Sequence, residues 1–397
     1  MTKNLLLSTA ICASASVASA DQENPVHIGV LFGFTGPIES MTPAIAESAE
    51  LALREAAESG AFLGGRDIVP VRADSTCVDT SLAVAAAERL VTANNVAAII
   101  GAGCSGAAAA VLANVALPHN VLSISPTATS PGLTEAKDNG LFFRTAPSDA
   151  RQGDVIAELL IEKGIRKIAV TYTSNDYGVG LSSTFAAAFE ELGGEVLVAA
   201  AHVDGKADYA AEVATLAASG ADTLLVAGYA DQGGRAIIQA SLDTGAFDRF
   251  VLPDGMVSDS LIEEFGAALV GSIGTLPGGD NESIDRFERM LQAHDITSRA
   301  PFRAEAYDAA AVLTLAMQAA GTTDSDAVSK SMLRVANAPG IRIGPGEIEK
   351  GLRILAQGDE IDYVGASAVE FTTEGDANGT YREVTFSEAG FETVRIW

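Results

Sequence analysis

Gly101, Gly103 and Gly106, in "VAAIIGAGCSGAAAAVLA" (residues 96–113), spell G-x-G-x-x-G between an apolar run and an alanine-rich stretch. In a dinucleotide site this spacing lets a pyrophosphate reach the backbone at a helix N-terminus, and a carboxylate about 20 residues further on holds the ribose. Here the next apolar run, "NVLSIS", ends in Ser125-Pro126-Thr127-Ala128-Thr129, and no acidic side chain occurs from Gly106 until Glu135. The glycines also follow the third apolar run of their series, not the first. The residues suit a smaller anion instead. A helix starting at Ser105 offers free backbone N–H groups and a positive dipole end. Ser105 either adds a hydroxyl donor or caps that helix. "SPTATSPGLT" is a second hydroxyl-rich turn at the carboxyl end of the adjacent run, and ligands of open parallel sheets bind outside such ends.

Other chemistries find less support. Ser105 lies in "GCSGA", not in G-x-S-x-G. His27, His119, His202 and His294 show no metal-ligand spacing. Carboxylates abound, yet nothing singles out a catalytic pair. The expectation is a binding protein without enzymatic activity, cofactor or metal.

Residues 1–20, "MTKNLLLSTAICASASVASA", carry one lysine, an apolar core and Ala18-Ser19-Ala20, the three-part layout of a secretory signal cleaved after Ala20. Cys12 raises a lipid-anchored alternative, but Ile11 precedes it where a lipid-attachment site wants a small residue. The formal net charge of −27 opposes binding to nucleic acid or anionic lipid. Once the signal is removed, Cys77 and Cys104 remain, and export makes a disulfide between them the expectation over two buried thiols. Such a bridge would stabilise the fold by roughly 3 kcal/mol and clamp the glycine turn.

The elements that must carry these residues alternate. "HIGVLF", "DIVPVRA", "VAAII" and "VLSIS" read as strands separated by helical stretches such as "PAIAESAELALREAAESG". A second series begins at Arg166 with "RKIAVTYT", "EVLVAAA", "DTLLVAG" and "RFVLPDG". Alternation of this kind predicts parallel sheets covered by helices, and the restart predicts two of them. Two helices without intervening strands follow, then a strand-rich tail. Candidate crossings between lobes lie near "FFRTAPSD", "VGSIGTLPGG" and "IRIGPGE", each punctuated by glycine or proline.

Together "HIGVLFGFTGPIES", "VAAIIGAGCSGA", "LSISPTATSPGLT", "FFRTAPSD", "NDYGVG" and "EAYDAAAVL" resemble the periplasmic leucine/isoleucine/valine-binding family, over essentially the whole mature chain. The resemblance implies an α/β type I periplasmic binding fold: two doubly wound parallel-sheet lobes joined by three crossovers. The lobes would comprise residues 21–145 plus 274–344 and residues 146–273 plus 345–397. It also implies the Cys77–Cys104 disulfide, a periplasmic location, and delivery of an amino acid to the permease subunits of an ABC transporter. Carried over residue by residue, it assigns the ligand's carboxylate to Ser105 and Thr129 with the backbone of Ala128. Tyr177 and Tyr229 become walls, and Asp254 in "LPDG" the partner of the ammonium. Met41 stands where family members can have an aromatic wall, and Gly103 where a larger apolar residue can line the pocket. Both imply a pocket of different shape, which Phe302 or Met41 would fill. An aromatic acid or amide as ligand, and a sensory role toward a receptor or kinase, are the competing readings.

Overall fold

A computed structural model describes residues 25–278, 282–388 and 390–397; the expected signal sequence lies outside the described residues. The first series comprises β1 (Val26–Phe32), α1 (Thr42–Glu58), β2 (Ile68–Asp74), α2 (Thr80–Thr92) and β3 (Ala98–Gly101). It continues through α3 (Ser105–Val111), α4 (Leu117–His119), β4 (Leu122–Ser125) and β5 (Phe142–Arg144). Its five strands form one sheet in the order β2-β1-β3-β4-β5, every pair parallel. β3 and β4 are buried at every residue, which is why both read as unbroken apolar runs rather than as alternation. The strand order reverses between β1 and β3, so the loops after these two strands diverge and leave a crevice. The glycine turn leaves β3 at that point.

The second series runs α5 (Asp149–Glu162), β6 (Lys167–Thr173), α6 (Asp176–Glu191), β7 (Glu195–His202), α7 (Ala210–Ala217) and β8 (Leu224–Ala227). α8 (Gly233–Thr244), β9 (Phe250–Leu252), α9 (Asp259–Phe265) and β10 (Ile273–Pro277) complete it. The chain then returns to the first body through α10 (Glu282–Ala293), α11 (Arg303–Ala320), α12 (Ser325–Ala336), β11 (Ile341–Ile343), α13 (Ile348–Ala356), β12 (Ile361–Tyr363), β13 (Glu370–Phe371) and β14 (Ala377–Asn378). Only β15 (Tyr381–Ser387) and β16 (Gly390–Ile396) rejoin the second sheet, whose order is β16-β15-β10-β9-β8-β6-β7.

Two expected boundaries are corrected. Residues 274–277 belong to the second sheet, because β10 pairs with β9 on one side and β15 on the other. Residues 345–377 belong with the first body. α13 packs on α1 and α11, Phe371 lies against Phe143, and Asp376 forms an ion pair with Arg144 at 2.6 Å. The glycines and proline of "IRIGPGE" make a turn inside the first body, where Gly346 N donates to Tyr307 Oη. The third crossing falls after β14 instead. There the crossings lie side by side: Tyr381 Oη donates to Pro147 O at 3.2 Å and to Ser148 O at 3.3 Å, and Gly278 N donates to Thr380 O at 3.0 Å.

Candidate functional site

The carboxyl ends of the two sheets face each other across a cleft lined from both lobes. Asp231 on the second lobe meets Ser40 of the first at 2.9 Å, so the lobes are in contact at its rim. Gly103, Cys104, Ser105 and Thr127 line one wall, Tyr177, Tyr229, Asp254 and Gly255 the opposite one, and Ile38, Met41, Ile45 and Phe302 an apolar end.

The first wall is built by the glycine turn. Gly101 has φ +130°, and a Cβ there would stand 2.2 Å from Leu31 O, so only glycine lets β3 turn this closely past β1. The disulfide between Cys77 and Cys104, Cα atoms 5.5 Å apart, ties the turn to the loop after β2. Cys104, not Ser105, occupies the capping position of α3, and it makes no side-chain cap. Ser105 Oγ instead accepts from Thr129 N at 3.2 Å and Ser130 N at 3.1 Å. A hydroxyl that accepts twice still has its proton to give, and this one stands at the cavity wall.

The second hydroxyl-rich turn is braced from beneath. Arg144, fully buried, forks onto Asp376 and also donates to Ser130 O at 2.8 Å and Ala128 O at 3.4 Å. Ala128 N donates to Ser125 Oγ at 3.1 Å, so both backbone groups of Ala128 are engaged inside the protein. Neither Ala128 nor Thr129 is among the cavity-lining residues. The Thr129 hydroxyl stands near the Asp149 carboxyl behind the cleft. Thr127 lines the cavity in their place, with its hydroxyl donated to Gly103 O.

Across the cavity Asp254 opens the turn after β9. Tyr177 Oη and Gly255 N both donate to its Oδ1, at 2.9 and 2.6 Å, while Oδ2 is buried without a partner. A Cβ at Gly255 would come within 2.6 Å of Gly228 O, so a bare backbone is needed for this turn to seat. Burial pushes the Asp254 carboxyl up to about 6, against the lowering effect of the Tyr177, Gly255 and Gln152 donors. An unpaired buried carboxylate of this kind is costly and is relieved by a cation with N–H donors.

At the rim the lobes touch directly. Asp231, just ahead of α8, accepts from Ser40 N at 2.9 Å and Ser260 Oγ at 3.2 Å, and its own N–H donates to Pro37 O at 3.2 Å. Neither Asp231 nor the pair Ile38 and Ile45 announces itself in the sequence. The isoleucines could have been found only from their place ahead of and within α1, whose start also carries Met41.

Two α/β lobes joined by three adjacent crossings, with a cleft at their strand ends, define the type I periplasmic binding architecture. The first sheet is all parallel, whereas the expected parallel second sheet is mixed, because the returning β15 and β16 pair antiparallel at its edge. The chain belongs to the periplasmic binding protein family, whose model matches residues 25–349, and within it to the branched-chain amino-acid binding group. It is 30% identical over 332 residues to Leu/Ile/Val-binding protein homolog 1 of Brucella melitensis, covering 81% of this chain and 85% of that protein. Among solved structures it is similar to the branched-chain amino acid transporter substrate binding protein LivJ from Streptococcus pneumoniae in complex with isoleucine. That match has a TM-score of 0.78 at 22% identity, covering 94% of this chain and 99% of the other. A solute binding protein of an ABC transporter from R. palustris in complex with benzoate matches equally well, with a TM-score of 0.78 at 17% identity and coverage of 94% and 96%.

Proposed function

We propose that the chain is the exported substrate-binding component of an ABC importer, processed after Ala20, and that it carries a small apolar α-amino acid to a membrane permease. The observation that carries this reading is the pairing, across one small cavity, of the Ser105 hydroxyl with the unpartnered Asp254 Oδ2. A zwitterion has the complementary ends. Its carboxylate meets Ser105 and the first N–H groups of α3, its ammonium meets Asp254, and its side chain lies among Ile38, Met41, Ile45 and Phe302. Donors sit on one lobe and the acid on the other, so only the closed state engages both ends. That difference in affinity is what lets a ligand shift the protein toward closure. Hydrogen bonds to charged groups contribute about 1.5–3 kcal/mol each, enough to decide between candidate ligands.

Calorimetric titration with L-leucine, L-isoleucine, L-valine, 4-methylpentanoate and benzoate tests the reading. The amino acids are expected to bind, and 4-methylpentanoate, which is leucine without its amine, is expected to bind far more weakly. The benzoate complex of the R. palustris neighbour supports a second reading, an aromatic acid ligand. Tight binding of benzoate with no heat from the amino acids would replace the first reading by the second.

A further inference from the structure

Behind the cleft, outside its lining, a second acid faces the first. Asp149 opens α5 directly after the first crossing. It is fully buried, and neither of its carboxyl oxygens has a hydrogen-bond partner. The Thr129 hydroxyl is the nearest donor to it and lowers the carboxyl as a long, poorly aligned hydrogen-bonding group, too weak to offset burial. Gln152, one turn along α5, donates Nε2 to Thr275 Oγ1 at 3.1 Å and leaves Oε1 buried and unpartnered. Asp254 Oδ2 is likewise buried without a geometric partner, and the Gln152 amide lies close enough to lower the Asp254 carboxyl as a donor, which sets Gln152 between the two acids' elements. The groups facing Asp149 are Asp254 after β9, Arg144 at the end of β5, Tyr177 on α6, Tyr229 after β8 and Tyr381 on β15. Arg144 is the cation among them, and its guanidinium is held by Asp376 through two hydrogen bonds. Two neighbouring carboxylates with no free cation between them do not both ionise in such surroundings.

We propose that Asp149 is a positioning residue of the amine site: in the empty protein it holds the proton that leaves Asp254 ionised and unpaired, and it gives that proton up when an ammonium enters the cleft. The proton passes to the solvent buffer, and the ammonium's charge replaces it in the cluster. Burial, then the charge of Asp254, pushes the Asp149 carboxyl well above its ordinary range, in keeping with this order of protonation. The ligand half of the proposal rests on the amino-acid reading above, whereas the protonation of the empty protein does not.

Two measurements test it. Titration of the wild-type protein with L-leucine at neutral pH, in phosphate and in imidazole buffer, reads the protons exchanged from the difference in heat. The expected release is up to about one proton per leucine bound, lost in Asp149→Asn while leucine still binds within roughly tenfold of wild type. Equal heats in the two buffers for the wild type would overturn the proposal, and so would an undiminished release from Asp149→Asn. The second measurement needs no ligand. A carboxyl-carbon NMR titration of the empty wild-type protein should show one aspartate resonance, absent from Asp149→Asn, that titrates well above the ordinary carboxyl range. Titration of that resonance at the ordinary value would equally refute the idea. If leucine gives no heat in either buffer, the amino-acid reading fails and the NMR titration alone decides the role of Asp149.

Discussion

Tyr177 Oη donates to Asp254 Oδ1 at 2.9 Å while the Tyr177 ring stacks on Tyr229, centroids 5.2 Å apart. The stack fixes the ring, the ring fixes the hydroxyl, and the hydroxyl holds one carboxyl oxygen so that the other stays presented to the cavity. Binding and stability therefore oppose each other at Asp254. The buried charge that attracts an amine costs the empty protein free energy.

Asp254→Asn should separate the two effects. Removing a charged partner of the ammonium lowers affinity for L-leucine by roughly 10- to 100-fold, the equivalent of about 1.5–3 kcal/mol. Thermal melts of the empty variant at pH 7.5 should show a transition no lower than the wild type. A variant that binds leucine undiminished removes Asp254 from the ammonium role.

The pH dependence of the empty protein carries an unusual sign. Burial raises Asp254 to about 6 and Glu305 to about 7, above their ordinary unfolded values. The folded state then binds more protons than the unfolded one between those values, so stability rises as pH falls from 8 toward 5. Buried His202, whose imidazole is held below its ordinary value, opposes the rise below about pH 6.5, and the trend reverses as carboxylates held low by cations, such as Glu162 beside Arg395, begin to take protons. Glu305→Gln should flatten the part of the rise near pH 7. The extra stability conferred by L-leucine should move the other way, shrinking below about pH 6 as Asp254 is neutralised. Melting curves with and without leucine from pH 5 to 8 read both trends, and parallel trends would contradict the assignment.

Ser105→Ala removes a donor from the cavity and, in the same stroke, the acceptor of Thr129 N and Ser130 N. Each buried N–H left unpaired costs about 1–3 kcal/mol, so the melting temperature should fall by at least several degrees. Affinity for L-leucine should fall by roughly tenfold for the lost contact to the carboxylate. A drop in melting temperature with unchanged affinity would leave Ser105 as a brace between the two turns and nothing more.

Much of this arrangement could be read from short stretches, because the physics there is local. The apolar runs give the strands, and the glycines after β3 mark a backbone that must pass close to β1. Tyr177, Tyr229, Asp254, Met41 and Phe302 line the cavity. Relations between distant residues were not legible. Nothing near Arg144 announces Asp376, 232 residues away, yet that pair braces the turn by holding the Ala128 and Ser130 carbonyls. The third crossing has no local signature for a similar reason. A Gly-Pro-Gly turn inside one lobe has the same local signature as a passage between two.

The clasp at the rim tests whether closure itself sets affinity. Asp231, on the second lobe with Ser260, is not itself a cavity-lining residue, and it ties that lobe to Pro37 and Ser40 of the first. The bonds to Ser40 and Pro37 exist only while the lobes are together, so they stabilise the closed state and leave an open one unaffected, whereas the bond to Ser260 lies within the second lobe. Asp231, Ser40 and Ser260 are half-buried or exposed, which limits the side-chain contribution to about 1 kcal/mol, or roughly fivefold in an equilibrium constant. Asp231→Ala should therefore weaken L-leucine about fivefold, with the loss appearing as faster dissociation in stopped-flow measurements. The melting temperature of the leucine-free protein should move much less. If dissociation is unchanged while the empty protein loses stability, the contact is part of a permanently closed body. Ligand entry would then require some motion other than the parting of these two lobes.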